Sequence, residues 1–417
     1  MNVIFFVESY FHKPLMNGIC VQKVAESLAK EGHSVTVFTS SETVYDLPKQ
    51  ETIEGVQVFR IHRDLRTFLK LYLDAHQKKT SRLLKLFYKF YYLGVHLIHS
   101  GCWPLKSVFT PLRYYWCACK HCKEQSPDVI VGTYQHLEEV LAAIRLKKKY
   151  RNARLITYTL DAMTGRITPK IRGKEKPARR SIAKWEKYVF AQSDKICVME
   201  SHRRHYESGI YDTKTLKKIH YVDVPLLDLH HHDSVAPGLA GNRKRIVYTG
   251  LSTRVSGSAR YLVDLMPYIE DVEFHLYGAI DNEIRQAIEQ SGLENTRIFF
   301  HGYIEHSRVK LVLSEADFLA TFGSQNACMV SGKVFEYMAM RKPIIAFYQI
   351  DEDANIVNLK KYPCALIMKE NAQPDQEDVK RLEQFLHKTD FEKIDNTYLR
   401  EVFFKSTPEA MVQEIIS

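Results

Sequence analysis

A short buried strand, a loop, an amphipathic helix and a second buried strand follow one another at the start of the chain, and a similar order begins again near residue 246. In the first copy, residues 3–7 predict a strand, residues 20–30 a helix and residues 34–38 the next strand. Such a unit builds a parallel sheet that is covered by helices. Because 417 residues exceed what one ordinary core accommodates, we predict two α/β domains.

The boundaries of these domains follow from composition. We assign residues 1–222 to the first domain, residues 246–395 to the second, and residues 396–417 to a C-terminal helix. Residues 223–245 contain two prolines and two glycines and therefore predict a linker. The basic stretch 166–180 has no apolar period and predicts a loop.

Positive charge is concentrated in one segment of the first domain. Residues 62–123 contain twelve Lys and Arg against two acids, so they alone carry the chain's net charge of +10. Tyr, Phe and Trp are interleaved with these cations, as is typical of an amphipathic surface at a membrane interface. We therefore predict a basic aromatic helical insertion that binds an anionic membrane; the alternative is a solvated helical insertion. No nucleic-acid-binding motif accompanies the charge, so nucleic acid is not an expected partner.

The rest of the composition predicts a cytoplasmic protein. No run of uncharged apolar residues reaches the ~18 that a transmembrane helix needs. The N-terminus lacks the basic start and small-residue cleavage site of a signal peptide. The eight cysteines are scattered, which is typical of a reduced chain. Together with the basic aromatic segment, these features predict a peripheral protein on the inner face of the cell membrane.

Residues 331–345 predict a loop, a short helix, a sharp stop and a buried strand. Ser331 is expected to cap the helix, and Gly332 allows its backbone to approach a ligand closely. The free N–H groups of the first turn attract an anion, and Lys333 adds a full charge. Glu336, one turn later, is placed for ribose hydroxyls, so the pattern indicates a nucleotide. The alternative is an ordinary amphipathic helix packed in a core.

This segment, with its Lys333-Val334-Phe335-Glu336-Tyr337-Met338-Ala339 run, resembles the donor-sugar motif of GT-B glycosyltransferases. More narrowly, it resembles the branch of glycosyltransferase family four (group 1) that carries a Ser-Lys-x-x-Glu-Tyr-Met-Ala pattern, including enzymes of bacterial surface-polysaccharide synthesis. Residues 28–37 are similar to the opening of many GT-B enzymes. The resemblance implies two Rossmann-like doubly wound domains that face a cleft, with residues 396–417 packed back on the first domain. It also implies domain closure about the linker.

The resemblance further implies an activity. A sugar would pass from a nucleotide-sugar donor, UDP- or GDP-linked, to a hydroxyl acceptor with retention of anomeric configuration. Together with the basic aromatic segment, this favours a lipid-linked glycan as the acceptor. No cofactor and no metal are expected, because cations and helix N-termini stabilise the diphosphate leaving group.

The residues that match the donor motif are expected to form the nucleotide site. They are Gly250, Arg254, Gly302, Tyr303, Ser331, Gly332, Lys333 and Glu336. Lys333 and Arg254 are the predicted stabilisers of the leaving diphosphate, and Gly302 and Tyr303 match the position beside the nucleobase. A surface loop charge is the alternative for Arg254, and simple packing is the alternative for Tyr303. The first glutamate of the family's Glu-x7-Glu spacing is absent, because Cys328 occupies that position.

The acceptor side is predicted from residues that follow strands of the first domain. Asp161 and His136 are candidate catalytic residues, together with Lys333 and Arg254. Asp161 resembles an acid in relatives with lipid-linked acceptors and could accept the acceptor's proton, whereas a helix N-cap is its alternative role. A core or rim histidine is the alternative for His136. Asn17 and Gly18 are all that remains of the family's glycine loop near the acceptor and the donor phosphates.

Two further possibilities concern metal and function. Cys117, Cys119, His121 and Cys122 lack the second pair of ligands that structural zinc requires, so we predict no metal site. Because the first glutamate is missing and the glycine loop is thin, a non-catalytic GT-B partner that docks at a membrane remains an alternative function. A nucleotide-sugar epimerase on the same architecture is a third hypothesis.

Overall fold

The computed structural model describes residues 1–11, 15–40, 47–61, 65–76, 81–100, 104–164, 175–229, 243–253, 257–325, 327, 330–388, 391 and 394–417. The chain divides into two compact units. The first unit comprises Met1–Pro225 and Lys405–Ser417, and the second comprises Leu226–Phe404. Most of the predicted linker, residues 230–242, lies outside the described residues.

Eight strands form the sheet of the first unit. They are β1 (Asn2–Phe6), β2 (Ser34–Ser40), β3 (Gln50–Ile53), β4 (Val56–Ile61), β5 (Val129–Thr133), β6 (Arg154–Thr159), β7 (Lys195–Met199) and β8 (Ile219–Val222). Their order is β3-β4-β2-β1-β5-β6-β7-β8, and only the β3–β4 pair is antiparallel. Every residue of β1, β5 and β7 is buried, as expected for strands covered on both faces. The strand order reverses between β1 and β5, where ligands of such sheets bind.

Helices lie between these strands along the chain. They are α1 (Met16–Lys30), α2 (Leu65–Ala75), α3 (Arg82–Ser100), α4 (Phe109–His121), α5 (Leu137–Lys149), α6 (Glu175–Gln192), α7 (Arg203–Tyr206) and α8 (Thr213–Leu216). The basic aromatic segment supplies α2, α3 and α4, so its predicted helical character agrees with the structure.

The second unit contains a smaller sheet that is parallel throughout. Its strands are β9 (Lys244–Ser252), β10 (Val272–Ile280), β11 (Ile298–Gly302), β12 (Phe318–Phe322), β13 (Ile344–Tyr348) and β14 (Ala365–Lys369). Their order is β11-β10-β9-β12-β13-β14, with the reversal between β9 and β12. The prediction of two doubly wound α/β domains is confirmed.

The remaining helices belong to the second unit except for the last. They are α9 (Arg260–Leu265), α10 (Asn282–Ser291), α11 (His306–Ser314), α12 (Gly332–Ala339), α13 (Ala354–Leu359), α14 (Gln376–His387), α15 (Asn396–Phe403) and α16 (Pro408–Ile416). Helix α16 packs on α1 in the first unit, and Lys195 Nζ donates to the backbone oxygen of Glu414 at 2.7 Å. The predicted C-terminal segment therefore contains two helices, of which only the second lies in the first unit.

The structure corrects two local predictions. Asn17 and Gly18 do not lie in a loop but in the first turn of α1, and both are buried. A Cβ atom on Gly18 would lie 2.2 Å from the backbone oxygen of Ser9, so this glycine allows the helix to begin against the preceding chain. Helix α6 begins at Glu175, inside the stretch predicted as a loop, and residues 165–174 lie outside the described residues. Pro177 is tolerated there because the first helical turn has no backbone acceptor to lose.

Candidate functional site

The motif at residues 331–345 forms α12 and β13. Ser331 is the N-cap residue of α12, but its side chain makes no capping hydrogen bond, contrary to the prediction. Instead, its backbone N–H donates to Asn355 Oδ1 at 2.7 Å. In the part of the chain that the structure describes, the N–H groups of Gly332 and Lys333 donate to no acceptor. Two unpaired donors at a helix N-terminus form a ready site for an anion.

The Lys333 side chain lies across the backbone of Gly250. Gly250 has a φ of +131°, and a Cβ atom there would lie 2.1 Å from Lys333 Cε and 2.6 Å from its Nζ. The ammonium lies 5.7 Å from the centre of the Tyr248 ring and has no carboxylate within ion-pair distance among the described residues. Burial lowers the pKa of Lys333, although the charge of Glu336, one turn along α12, opposes this shift. An incompletely solvated cation without a paired acid suits an anionic ligand.

Helix α12 begins where two strands separate. Strands β9 and β12 pair only at residues 246–247 and 318–319, although β9 continues to Ser252. Beyond that pairing, the Thr249 N–H donates to the hydroxyl oxygen of Tyr337, a fully buried residue of α12, at 3.0 Å. Tyr337 therefore satisfies a backbone donor of β9 and fixes α12 at the point of strand reversal. This is the position at which open α/β sheets bind their ligands.

Three adjacent strands carry glycine at or near their carboxyl ends. Gly302 is the last residue of β11. Gly278 lies in β10 and pairs with Gly250 of β9. A Cβ atom on Gly278 would lie 2.1 Å from the Gly250 oxygen, so the two backbones require this close approach. Gly278 was not among the predicted site residues; its position at the end of the alternating apolar run 272–278 is the signal that could have identified it. Tyr303 follows Gly302 with 70% of its surface exposed, which argues against simple packing in the core.

Two predicted features of the donor site lie outside the described residues, namely Arg254 and the position of Cys328. The chain on either side of Arg254 is well fixed. The Thr253 N–H donates to the oxygen of Gly257 at 3.0 Å, and the Ser252 hydroxyl donates to the same oxygen. These two contacts hold the described residues 252–253 and 257 together.

A buried carboxylate contacts the chain after β12 and the residue that bonds to the N-cap of α12. Asp353 accepts hydrogen bonds from the Ser324 N–H at 3.0 Å and from the backbone and side-chain amides of Asn355 at 2.8 Å. Asn355 in turn accepts from Ser331. Burial raises the pKa of Asp353, and these hydrogen bonds oppose the rise. This network links the end of β12 to the N-cap of α12 and so positions the predicted phosphate site.

In the first unit, His136 lies between an acid and a lysine. It is the N-cap residue of α5 just after β5, and its Nδ1 lies 3.2 Å from Oε1 of Glu8, which follows β1. Lys106 Nζ donates to His136 Nε2, so Nδ1 carries the proton and donates to Glu8. The second oxygen of the Glu8 carboxylate is buried without a hydrogen-bond partner in the described structure. The three side chains thus meet at the reversal point between β1 and β5.

Neighbouring contacts keep this cluster in place. Glu138 Oε1 accepts from the backbone N–H groups of Lys106 and Ser107 at 2.7 Å each. Asn17 donates to the backbone oxygen of Tyr134 at 3.2 Å and so connects α1 to the loop that carries His136. Glu8 and Lys106 were not among the residues predicted from sequence. Glu8 was recognisable as the first charged residue after the first buried strand, whereas no local signal identifies Lys106.

Asp161 lies two residues beyond β6, the strand next to β5 in the same parallel sheet. The described residues after it, 162–164, are not helical, and residues 163–164 form a turn, so Asp161 does not cap a helix there. Its carboxylate is partly exposed and makes no hydrogen bond or ion pair with the described residues. Thr164 fixes the turn, because its hydroxyl donates to Glu186 Oε2 at 2.9 Å. Burial raises the pKa of Glu186.

Among the described residues, no group of three or more His, Cys, Asp and Glu side chains is arranged to hold a metal ion. Metal-independent chemistry remains a prediction.

Comparison with known proteins bears on the predicted family resemblance and on the fold. Residues 243–373, which include the whole α12 site, match the family model described as Glycosyl transferases group 1. No curated protein matches the chain by sequence. The predicted resemblance to GT-B glycosyltransferases of group 1 is confirmed.

Solved structures share the two-unit architecture along nearly the whole chain. Sucrose-phosphate synthase from Thermosynechococcus elongatus is 14% identical with a TM-score of 0.59, over 99% of this chain and 94% of that one. Anabaena HepE in complex with UDP and glucose is 12% identical with a TM-score of 0.54, over 99% and 95%. The N-terminal domain of Candida albicans trehalose-6-phosphate phosphatase is 10% identical with a TM-score of 0.60, over 100% and 96%. At these identities the likeness shows the GT-B fold alone.

Proposed function

We propose that this protein is a metal-independent glycosyltransferase. It moves a sugar from a UDP- or GDP-linked donor to a hydroxyl group of a lipid-linked glycan, with retention of anomeric configuration. The observation that carries the proposal is the N-terminus of α12, where unpaired N–H groups and Lys333 meet Gly250 at the strand reversal. The match of residues 243–373 to group 1 glycosyl transferases supports the same assignment.

The chemistry follows from where charge develops. When the anomeric bond of the donor breaks, negative charge accumulates on the departing diphosphate. The α12 N–H groups and the Lys333 ammonium stabilise that charge. Because they are already in position, they need not reorganise as the transition state forms. Glu336, one turn further along α12, accepts hydrogen bonds from the ribose. The HepE structure, which holds UDP and glucose, favours UDP as the first nucleotide to test.

The acceptor hydroxyl must lose a proton as its oxygen bonds to the anomeric carbon. We assign Asp161 as the base that accepts this proton, because its carboxylate is partly exposed and has no partner among the described residues. The paired carboxylate of Glu8 holds His136 in the tautomer that leaves Nε2 as an acceptor. Because both of its ring nitrogens are engaged by Glu8 and Lys106, we assign His136 a positioning role beside the acceptor rather than that of an acid.

The donor assignment is tested by thermal unfolding of the full chain with UDP, GDP, ADP and their common sugar conjugates. We expect one nucleotide to raise Tm in a concentration-dependent manner, with about 2.7 kcal/mol of stabilisation at a hundredfold excess over Kd. A folded protein that binds none of them, with lipid present, would contradict the proposal and favour the non-catalytic partner. Epimerisation of a free nucleotide sugar without any acceptor would favour the epimerase instead.

Helix α3 carries the feature that we propose for membrane binding. Leu83, Leu86, Phe87, Phe90 and Leu93 recur at helical spacing, and each has more than half of its surface exposed. Lys85 and Lys89 are exposed on the same helix. In the described residues, no helix has the length and apolar character needed to cross a bilayer. We therefore propose that α3 lies in the interface of an anionic membrane, on its cytoplasmic face.

Replacing Phe87 and Phe90 together with serine is expected to weaken binding to phosphatidylglycerol-containing vesicles by about tenfold or more. Each ring would lose on the order of 1 kcal/mol of partial burial in the interface. Co-sedimentation with vesicles of mixed phosphatidylcholine and phosphatidylglycerol measures the effect, and Tm should not change because both rings are exposed. The matched control makes the same replacement with serine at Tyr268 and Val357, which are exposed to a similar extent in the second unit. Equal vesicle binding by the α3 variant and the wild type would contradict membrane docking through α3.

A further inference from the structure

The first unit contains a groove of about 520 Å³ between α4 and α6, with α5 as its floor. Its apolar lining comes from Leu105, Val108, Pro111, Leu141 and Ile144. Along α5 the lining residues recur at helical spacing from Leu141 to Lys148, so one continuous face of that helix borders the groove. A volume of this size lies within the range of small-molecule sites, roughly 300–1,000 Å³.

Three cations stand at the rim of this apolar groove. Arg145, Lys148 and Lys184 line it, and none of them makes a hydrogen bond or ion pair with a described residue. No carboxylate lies among the described lining residues. Trp185 and Tyr188 complete the α6 side, with their rings 5.8 Å apart in an edge-to-face arrangement. Such a rim attracts anions, whereas the interior favours hydrocarbon.

This combination restricts the ligand. A neutral hydrocarbon would gain nothing from three uncompensated cations, and a free phosphate would gain nothing from the apolar lining. A phosphate joined to a hydrocarbon chain uses both features. Its chain displaces water from the apolar lining, and its negative charge pairs with the three cations at the rim. Tyrosine and tryptophan at the border between the two regions are typical of sites where an apolar body meets a polar head.

The groove adjoins the His136 cluster. Leu105 lines the groove, and the next residue, Lys106, donates to His136 Nε2. Glu138, in the first turn of α5, holds the backbone of this segment through the N–H groups of Lys106 and Ser107. One end of the groove therefore lies beside residues that we assign to the acceptor site. Helix α4 contributes Pro111 to the wall of the groove, and the same helix carries the exposed Phe109 and Trp116.

We propose that this groove binds the phosphate-bearing hydrocarbon chain of the acceptor lipid, taken from the membrane. The chain packs against Leu141, Ile144 and Trp185, and the phosphate pairs with Arg145, Lys148 and Lys184. The inference rests on the proposed function for its acceptor class, and it adds to that function a binding site for the lipid part of the substrate.

The test is calorimetric titration of the full chain with farnesyl phosphate, farnesol and inorganic phosphate as separate probes. Farnesyl phosphate is expected to bind saturably, and each of the other two at least about tenfold more weakly. The variant Lys148→Glu/Lys184→Glu should weaken farnesyl phosphate binding by about tenfold or more, since each rim cation near a lipid phosphate contributes about 1 kcal/mol. Both lysines are exposed, so the variant is expected to fold. The control Lys176→Glu/Lys187→Glu makes the same charge change at exposed positions of α6 that do not line the groove.

Several results would overturn the proposal. Equal loss of binding in the control variant would indicate general attraction to a basic surface. Inorganic phosphate that binds as tightly as farnesyl phosphate would leave an anion site only, and farnesol that binds as tightly would make the cations irrelevant.

Nucleotide binding on the same samples separates this proposal from the function on which it rests. Because Gly250 and α12 belong to the second unit, the groove variants should bind UDP or GDP like the wild type. Nucleotide binding without farnesyl phosphate binding would overturn the groove alone. Farnesyl phosphate binding without any nucleotide binding would instead overturn the transferase and leave a lipid-binding protein.

Discussion

Replacing Lys333 with alanine is expected to weaken nucleotide binding by about 10- to 100-fold and to lower turnover by about 10²- to 10³-fold. The first figure corresponds to the loss of one charge-assisted hydrogen bond to phosphate, about 1.5–3 kcal/mol. The second corresponds to the loss of one oriented group that stabilises charge in the transition state. Calorimetry with the bound nucleotide and a sugar-transfer assay measure the two effects. Lys380→Ala, at an exposed position of α14, is the matched control.

The pKa of Lys333 adds a pH dependence to this prediction. Because burial lowers that pKa, the ammonium loses its proton below the pH of about 10.4 at which an ordinary lysine does. Nucleotide affinity should therefore decline as the pH rises through the lowered value, and Lys333→Ala should lack this decline. In the absence of nucleotide, folding stability depends on pH with the opposite sign. The unfolded chain binds more protons there, so the free energy of unfolding rises with pH until the ordinary lysine value is reached.

Two observations would contradict the role of Lys333. The first is an unchanged nucleotide affinity in Lys333→Ala. The second is a large drop in Tm of the ligand-free variant, which would indicate that the lysine stabilises the fold rather than a ligand. We expect an unchanged or slightly higher Tm, since the side chain is partly desolvated and has no carboxylate partner among the described residues.

The two sheets were predictable from sequence because central parallel strands are buried on both faces and must be apolar. The predicted strand 3–7 overlaps β1, and the apolar run 195–199 coincides with β7; both of these strands are fully buried. Strands β3, β8 and β14 were not predicted. Residues of β3 alternate between exposed and half-buried, and most of β8 is half-buried, so neither carries the apolar run that marks the central strands. Strand β14 does carry a short apolar run, but most of its residues are only half-buried. Edge strands depend on pairing more than on their own composition.

The candidate site was predictable only where its geometry is local. Lys333 and Glu336 follow from spacing on one helix, and the structure places both on α12. The prediction that the Ser331 side chain caps α12 was wrong. The contact found at this N-cap joins the backbone N–H of Ser331 to Asn355, which lies 24 residues later in sequence. Glu8 and Lys106 meet His136 only through the fold, since 98 residues separate Glu8 from Lys106 in sequence. No spacing rule could have joined them.

Gly250→Ala is expected to reduce nucleotide binding about as much as Lys333→Ala does. A Cβ atom at Gly250 would lie 2.1 Å from Lys333 Cε, so the lysine must leave the position from which it reaches the anion site. The backbone φ of +131° adds strain of about 1–3 kcal/mol to the folded state. Calorimetry with the bound nucleotide and thermal unfolding separate the loss of affinity from the loss of stability.

The two effects are distinguished by a second glycine. Gly292 also has a positive φ, +68°, but a Cβ atom there would meet nothing within 4 Å. Gly292→Ala should therefore cost about 1–2 kcal/mol of stability and leave nucleotide affinity unchanged. If Gly250 acts by placing Lys333, the double variant Gly250→Ala/Lys333→Ala binds nucleotide no more weakly than Lys333→Ala alone, since contacting residues are not additive. Additive losses in the double variant would mean that Gly250 contacts the nucleotide independently, through its own backbone.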